Sequence, residues 1–269
     1  MEHDMDTHAI ENKHRTLGRI LASGFIPNFI PDTLDPAGLA DAAGEAGLRA
    51  MEISCRRDDT LKVLADLKNR FPAMSFGVSS LVEDGPYYDF LQRRGPRFPS
   101  VREAAESGAD FLVSLIGFRG ETYCHHADRV IIPGVETTEE AKTQMDRGAS
   151  LVKISAPALR GGPAYLRTMM HCGPIHFGLP LLVTGGIRPD LVDSYVEAGA
   201  LAAVAGFDLI LGGRYRDMQA APDWTFIRDA MAAYADAFRA ARARHMGRVP
   251  FDSADPVAIQ RESGRFLNA

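Results

Sequence analysis

The stretch Leu151–Pro157, LVKISAP, reads as a buried strand with a lysine in its middle. A lysine is rarely fully buried unless it is paired or has a chemical task. The choice between those readings depends on the fold around the strand. Upstream lies "TTEEAKTQMDRG", where Thr137 and Glu140 form a capping-box pattern that starts a helix. Before that helix comes the apolar run "DRVIIPG", and after LVKISAP come "LPLLVTGGI" and "AAVAGFDLI".

The same alternation extends to the N-terminus. "GFIPNFIP" (24–31), "LRAMEIS" (48–54), "MSFGVSSLV" (74–82) and "GADFLVSLI" (108–116) read as strands. Helical stretches separate them. "DPAGLADAAGEAG" has Asp35 as its N-cap and Pro36 at its first helical position. Residues 59–69 carry Leu61, Val63, Leu64 and Leu67, and a further helix covers 101–107. Gly-Ala phrases at 108, 148 and 199 fit helix ends feeding strands.

Eight strand–helix alternations in about 200 residues predict an α/β fold, a (β/α)8 TIM barrel with a C-terminal helical extension. The rival, an open doubly wound sheet, lacks a Gly-x-Gly-x-x-Gly opening its first helix. The expected division is a flexible N-terminal segment over 1–16, the barrel over 17–216 and the extension over 217–269. Residues 83–99, "EDGPYYDFLQRRGPRFP", lengthen the connection after the third strand and read as a lid, an oligomer contact or a plain surface loop.

Composition narrows the function classes. The chain has 269 residues, 46% hydrophobic and 24% charged, with a net charge of −5. That balance disfavours nucleic acid or an anionic membrane as the main partner. Three cysteines without paired spacing, Cys55, Cys124 and Cys172, fit a reducing cytosol better than a disulfide framework. The polar start "MEHDMDTHAIENKHR" has no apolar segment of the signal-peptide kind. No run approaches the ~18 apolar residues of a membrane span. The expectation is a soluble, cytoplasmic protein acting on a small molecule.

In such a barrel, chemistry sits at the C-terminal ends of the strands. Glu52, Ser79, Ser80, Lys153 and Thr184 all fall near those ends. Burial disfavours a charged amine and lowers its pKa from about 10.4. A neutral amine can attack a ketone and form a Schiff base, and a carboxylate such as Glu52 can move the accompanying protons. Arg56 has the fork that holds a carboxylate. The plainer alternative is that Lys153 and Glu52 form a buried ion pair closing the barrel.

Several other signals are discounted. "YCHHAD" and "HCGPIH" display Cys124, His125, His126, His171, Cys172 and His176, but not with zinc spacing. No metal or cofactor is therefore expected; convergence of those groups would instead indicate a metal-dependent enzyme. "ARARHMGR" fits a solvated helix face. "TGGIRPD" also suits the phosphate site of a barrel isomerase or decarboxylase, which stays open as an alternative.

As a set, "MEISCRRDDTLKVLADLKNRFP", "GADFLVS", "IIPGVETTEEA", "GASLVKISAPALRGGPAYLR" and "LLVTGGIRPD" resemble the 2-keto-3-deoxy-6-phosphogluconate (KDPG) and 4-hydroxy-2-oxoglutarate aldolase family, in order and spacing, over residues 17–213. The resemblance implies a metal-free class I aldolase, a lyase that makes or cleaves a 2-keto-4-hydroxy acid to give pyruvate and an aldehyde. It also implies a trimer. Lys153 matches the Schiff-base lysine, Glu52 the general acid/base and Arg56 the arginine that holds the pyruvate carboxylate. Ser80 and Thr184 match substrate-contacting hydroxyls. Gly161, Gly162, Gly185 and Gly186 match glycines at the distal, often phosphate-binding end, where bare backbone N–H groups suit an anion.

The chain departs from the pattern at three places. Ser155 and Ala156 stand where the family has Phe-Pro. Ser114-Leu115-Ile116 replaces Ser-Pro-Gly, and Ala205-Gly206-Phe207-Asp208 replaces Gly-Gly-Ser-Trp. Losing that serine and gaining Asp208 is unfriendly to a phosphate dianion and implies an unphosphorylated aldehyde, unless Arg188 or Arg214 restores the charge. A non-catalytic relative that binds a keto acid without turning it over also fits the changed pocket.

Overall fold

The computed structural model describes residues 7–30, 33–95, 97–172, 175–176 and 179–246. Eight parallel strands form a nearly closed barrel: β1 (Phe25–Phe29), β2 (Ala50–Ser54), β3 (Ser75–Leu81), β4 (Phe111–Ser114), β5, β6 (Val152–Ser155), β7 (Leu181–Thr184) and β8 (Ala200–Gly206). Strand β5 comes in two pieces, Val130–Ile132 and Gly134–Val135, on either side of Pro133. The first piece pairs with β4 and the second with β6. Pro133 has no N–H for a ladder, but its carbonyl accepts the Lys153 N–H at 2.8 Å. The eighth run stops as a strand at Gly206, because "FDLI" turns into a helix.

The helices are α1 (Thr7–Ser23), α2 (Pro36–Glu45), α3 (Thr60–Arg70), α4 (Pro86–Gln92), α5 (Val101–Glu106) and α6 (Gly120–His125). They continue with α7 (Thr138–Asp146), α8 (Pro163–Met170), α9 (Pro189–Glu197), α10 (Phe207–Leu211), α11 (Tyr215–Ala220) and α12 (Trp224–His245). Asp35 caps α2 by accepting from Ala37 N and Gly38 N. Thr137 and Glu140 make the reciprocal capping box of α7. The Gly-Ala phrases end α5, α7 and α9, with φ of +91°, +107° and +103° at Gly108, Gly148 and Gly199.

The N-terminal segment differs from expectation, and the C-terminal extension is helical as expected. The N-terminal segment expected to be flexible is helical from Thr7, and α1 runs through residue 16 without a break. Its buried Leu17, Ile20 and Leu21 join the core, which explains why the helix persists. The C-terminal extension holds α12, which packs against α9 and α2. That is the place of the outer helix following β8, so α12 completes the ring. Tyr234 on α12 stacks on Phe25 at 4.1 Å and donates to Ile187 O at 3.0 Å. The end of the extension, from residue 247, lies outside the described residues.

Inside the barrel, Phe111 fills the lower end. A Cβ on Gly77 of β3 would stand 2.2 Å from the Phe111 ring, so only glycine leaves room. Apolar Val152 and Ile154 on β6 are fully buried on the other face, against the helices. This alternation turns Lys153 toward the barrel interior.

Candidate active site

Lys153 and Glu52 line one cavity of about 750 Å3 at the C-terminal end of the barrel. Both are nearly inaccessible, at 3% and 1% exposure. Glu52 sits in register with Asn28 on β1 and Gly77 on β3. Lys153 is in register with Leu182 on β7. Burial raises the Glu52 carboxyl above its ordinary value, opposed by Lys153 and the Ser79 hydroxyl. Burial lowers the Lys153 amine, opposed by Glu52 and reinforced by Arg56. Each group is thus pushed toward its neutral form, the condition for a nucleophilic amine and a proton-carrying acid.

The pair is not spent as a closed ion pair. Glu52 Oε1 is buried without a hydrogen-bond partner, and so is Ser155 Oγ two residues after the lysine. A structural pair closing the barrel needs its remaining lone pairs satisfied, since unpartnered buried polar atoms cost about 1–3 kcal/mol each.

The backbone at the mouth is bent to aim these groups. Between Val78 and Leu81 the β3–β4 register slips by one residue, a bulge that contains Ser79 and Ser80. Ser80 has φ +64° and Ala156 has φ +46°, the left-handed region that costs a side-chain-bearing residue about 1–2 kcal/mol. Ala156 N donates to Thr184 O at 2.7 Å and ties β6 to β7 at the rim. Gly185 lies against that turn: its φ is +86°, and an added Cβ would meet the Ala156 backbone at 3.2 Å.

Most of the expected site residues converge. Arg56, Ser80, Thr184, Gly185 and Gly186 line the cavity together with Lys153 and Glu52. Arg56 is exposed at the mouth, and its Nε donates to Ser54 Oγ at 3.1 Å. The Thr184 hydroxyl donates to Val204 O at 3.2 Å. Gly161 and Gly162 are not among the lining residues; they end the 3-10 turn Pro157–Arg160, where Gly162 N donates to Pro157 O at 2.8 Å.

Neither Arg188 nor Arg214 lines the cavity. Arg188 pairs with Asp190 at 2.9 Å, and Arg214 lies over Phe226 at 4.3 Å. Leu115 and Asp208, at two of the departures from the family pattern, line the cavity, and other groups arrive that sequence reasoning did not assign: Asn28, accepting at 3.4 Å from Ser79, and Arg94 and Arg97 from the insertion. The Arg-rich composition of 83–99 was the one signal for the last two.

Among the described residues no group of three His, Cys, Asp or Glu could hold a metal ion, and no helix is long and apolar enough to cross a membrane. The side chains of His171, Cys172 and His176 lie outside the described residues.

Comparison with known proteins places this geometry in context. The aldolase family model described as KDPG and KHG aldolase matches residues 26–225. A 2-dehydro-3-deoxy-phosphogluconate aldolase of Treponema pallidum (strain Nichols) is 24% identical over 174 residues, 64% of this chain and 74% of that one. A 2-dehydro-3-deoxy-6-phosphogalactonate aldolase of Escherichia coli (strain K12) is 28% identical over 98 residues, 36% of this chain; the match spans 46% of that relative's length, less than half. Among solved structures, a KDPG aldolase from Legionella pneumophila, with pyruvate captured as a covalent carbinolamine, shares the fold at a TM-score of 0.62 and 21% identity, over 81% of this chain and 97% of that one. The structure of a 4-hydroxy-2-oxoglutarate/2-dehydro-3-deoxyphosphogluconate aldolase from TTHB1 does so at 0.63 and 23%, over 83% and 98%.

Proposed function

Because the chain belongs to the KDPG and KHG aldolase family, we propose that it is a class I aldolase, reversibly cleaving a 2-keto-4-hydroxy acid to pyruvate and an aldehyde through an imine on Lys153. The supporting observation is the buried, mutually unspent pair: a lysine driven toward neutrality beside a carboxyl with an unpartnered oxygen.

The neutral Lys153 Nζ adds to the C2 ketone and gives a carbinolamine. Glu52 supplies the proton with which the hydroxyl leaves as water, and a protonated imine remains. Glu52, now a carboxylate, takes the proton from the C4 hydroxyl. The C3–C4 bond breaks, its electron pair flows into the imine, and the aldehyde departs. Glu52 returns the proton to C3 of the enamine. Hydrolysis then frees pyruvate and restores the amine. Arg56 holds the keto acid's carboxylate at the mouth, and Ser80 and Thr184 contact the substrate oxygens. Asp208 on the β8 rim favours an unphosphorylated aldehyde.

The reading carries a cytoplasmic enzyme assembled as a trimer. Exposed Leu115, Ile116 and Leu159 on the loops around the mouth supply apolar surface for subunit contact.

Borohydride trapping with pyruvate, followed by intact mass and peptide mapping, tests the mechanism. The expected result is a reduced adduct on Lys153 that disappears in Lys153→Ala. No adduct under conditions that trap a known class I aldolase fully would overturn it and return the site to the phosphate-barrel reading. An adduct without turnover of any aldol would favour the non-catalytic binder.

A further inference from the structure

The insertion between β3 and α5 is part of the site. Leu91, Arg94, Arg97 and Phe98 line the same cavity as Lys153 and Glu52. The segment is fixed on itself. Tyr88 Oη and Gln92 Nε2 both donate to Phe98 O, at 3.0 and 2.6 Å, and the Tyr88 ring meets Phe98 edge-on at 5.3 Å. At its start, Glu83 accepts from Arg119 N at 2.9 Å and from the Thr122 hydroxyl. A segment anchored at both ends can present a side chain at a defined place.

Its two arginines are not equivalent. Arg97 is paired with Glu103 at 2.7 Å. Arg94 lies over the Phe90 ring at 4.8 Å and makes no ion pair with a carboxylate among the described residues. Its guanidinium is therefore positioned and its fork is available. Across the mouth, the rim after β8 carries exposed Asp208, which disfavours an anion on that side.

The geometry points to Arg94 as a specificity-determining residue that binds a carboxylate at the far end of the aldehyde partner, an inference that rests on the aldol reading above. Arg56 is engaged with the keto acid's own carboxylate in that reading, so a second anion needs a second fork. A planar monoanion matches one guanidinium. A phosphate dianion would have to enter a mouth that also holds Asp58 and Asp208. At about 750 Å3 the cavity has room for a multi-carbon acid beside pyruvate.

The test compares three acceptors with pyruvate as donor: 4-oxobutanoate, butanal of the same chain length without the charge, and glyceraldehyde 3-phosphate. The wild type should prefer 4-oxobutanoate over both others in kcat/KM. Arg94→Ala should reduce the 4-oxobutanoate-to-butanal ratio roughly tenfold or more, the loss of one charge-assisted two-point contact. Arg94→Lys should restore only part of it, since a point charge lacks the fork. A ratio unmoved by Arg94→Ala, or a wild type that prefers butanal or the phosphate, overturns the inference. Trapping of pyruvate on wild-type Lys153 is run alongside. An adduct with an unmoved ratio sinks the role of Arg94 alone, whereas no adduct sinks the aldol reading itself.

Discussion

At the floor of the barrel, Asp110 accepts from Lys68 Nζ at 2.6 Å and from Phe76 N at 2.9 Å. Arg242, 4% exposed, donates to Leu21 O at 2.6 Å and to Leu201 O at 2.5 Å. At the mouth, Glu52 Oε1 and Ser155 Oγ are equally buried and have no partner. Ser80 and Ala156, the non-glycine residues with positive φ among those described, are both at the mouth. The two ends share the same strands and the same burial. Both Asp110 oxygens and both terminal nitrogens of Arg242 have partners in the protein, whereas one Glu52 oxygen and the Ser155 hydroxyl have none. The floor's charges tie elements together, and the mouth leaves buried polar atoms unpartnered, at a cost in stability.

That contrast can be broken most sharply at Lys153 and Glu52. Replacing both groups, Lys153→Met with Glu52→Gln, should abolish aldol turnover and pyruvate trapping while stabilising the fold by about 1–4 kcal/mol, since apolar or neutral groups replace poorly paired buried ones. The pH dependence gives the sign. The raised Glu52 pKa means that its contribution to stability is present below 4.5 and lost as pH rises through the folded value. The lowered Lys153 pKa means that its penalty grows as pH falls below 10.5. The gain in the double variant should therefore be largest between those two values and shrink beyond either. Thermal melts across pH measure it, and a double variant less stable than wild type at neutral pH would show the mouth to be as structurally committed as the floor.

The floor gives the complementary result. Arg242→Met should lower stability by about 3 kcal/mol, because it leaves buried carbonyls without a donor. For a chain of this size that is a fall of roughly 6–12 °C in Tm. kcat/KM should stay within twofold of wild type at a temperature where the variant remains folded, about the scatter expected far from the chemistry. Loss of activity without loss of Tm would place Arg242 in the mechanism.

The smallest effect should come from Ala156→Gly. Relief of a left-handed alanine, worth about 1–2 kcal/mol, is offset by the greater freedom of glycine in the unfolded chain, leaving a net gain of about 0.5 kcal/mol. Urea unfolding resolves the sign. A net loss would mean that the Ala156 methyl packs more than it strains.

Sequence reading reached the barrel because its strands and caps are local: Asp35, Thr137 and the alternation around Lys153 each declare themselves within a few residues. Lys153, Glu52, Arg56 and Thr184 could be placed at one mouth because strand ends in a barrel converge whatever the loops do. Gly161 and Gly162 showed the limit, since a glycine pair looks the same whether it lines a cavity or ends a 3-10 turn. The insertion was legible as an insertion, but not its direction. The bonds of Tyr88 and Gln92 to Phe98 O fold it back over the cavity, and the sequence does not mark which carbonyl a side chain will find. The place of α12 was hidden for a similar reason: a good amphipathic helix after the last strand can pack anywhere that offers an apolar face.

The bond from Arg242 to Leu21 O joins residues 221 positions apart. At ordinary rates of protein synthesis, roughly ten to forty seconds separate the appearance of its two ends from the ribosome. Throughout that interval α1 and β1 exist without the helix that covers them, and the stacked face of Phe25 waits for Tyr234. The nascent chain must therefore hold most of a barrel open at one seam until its last helix emerges. In the living cell, that is the stretch of its lifetime in which a chaperone would have something to bind.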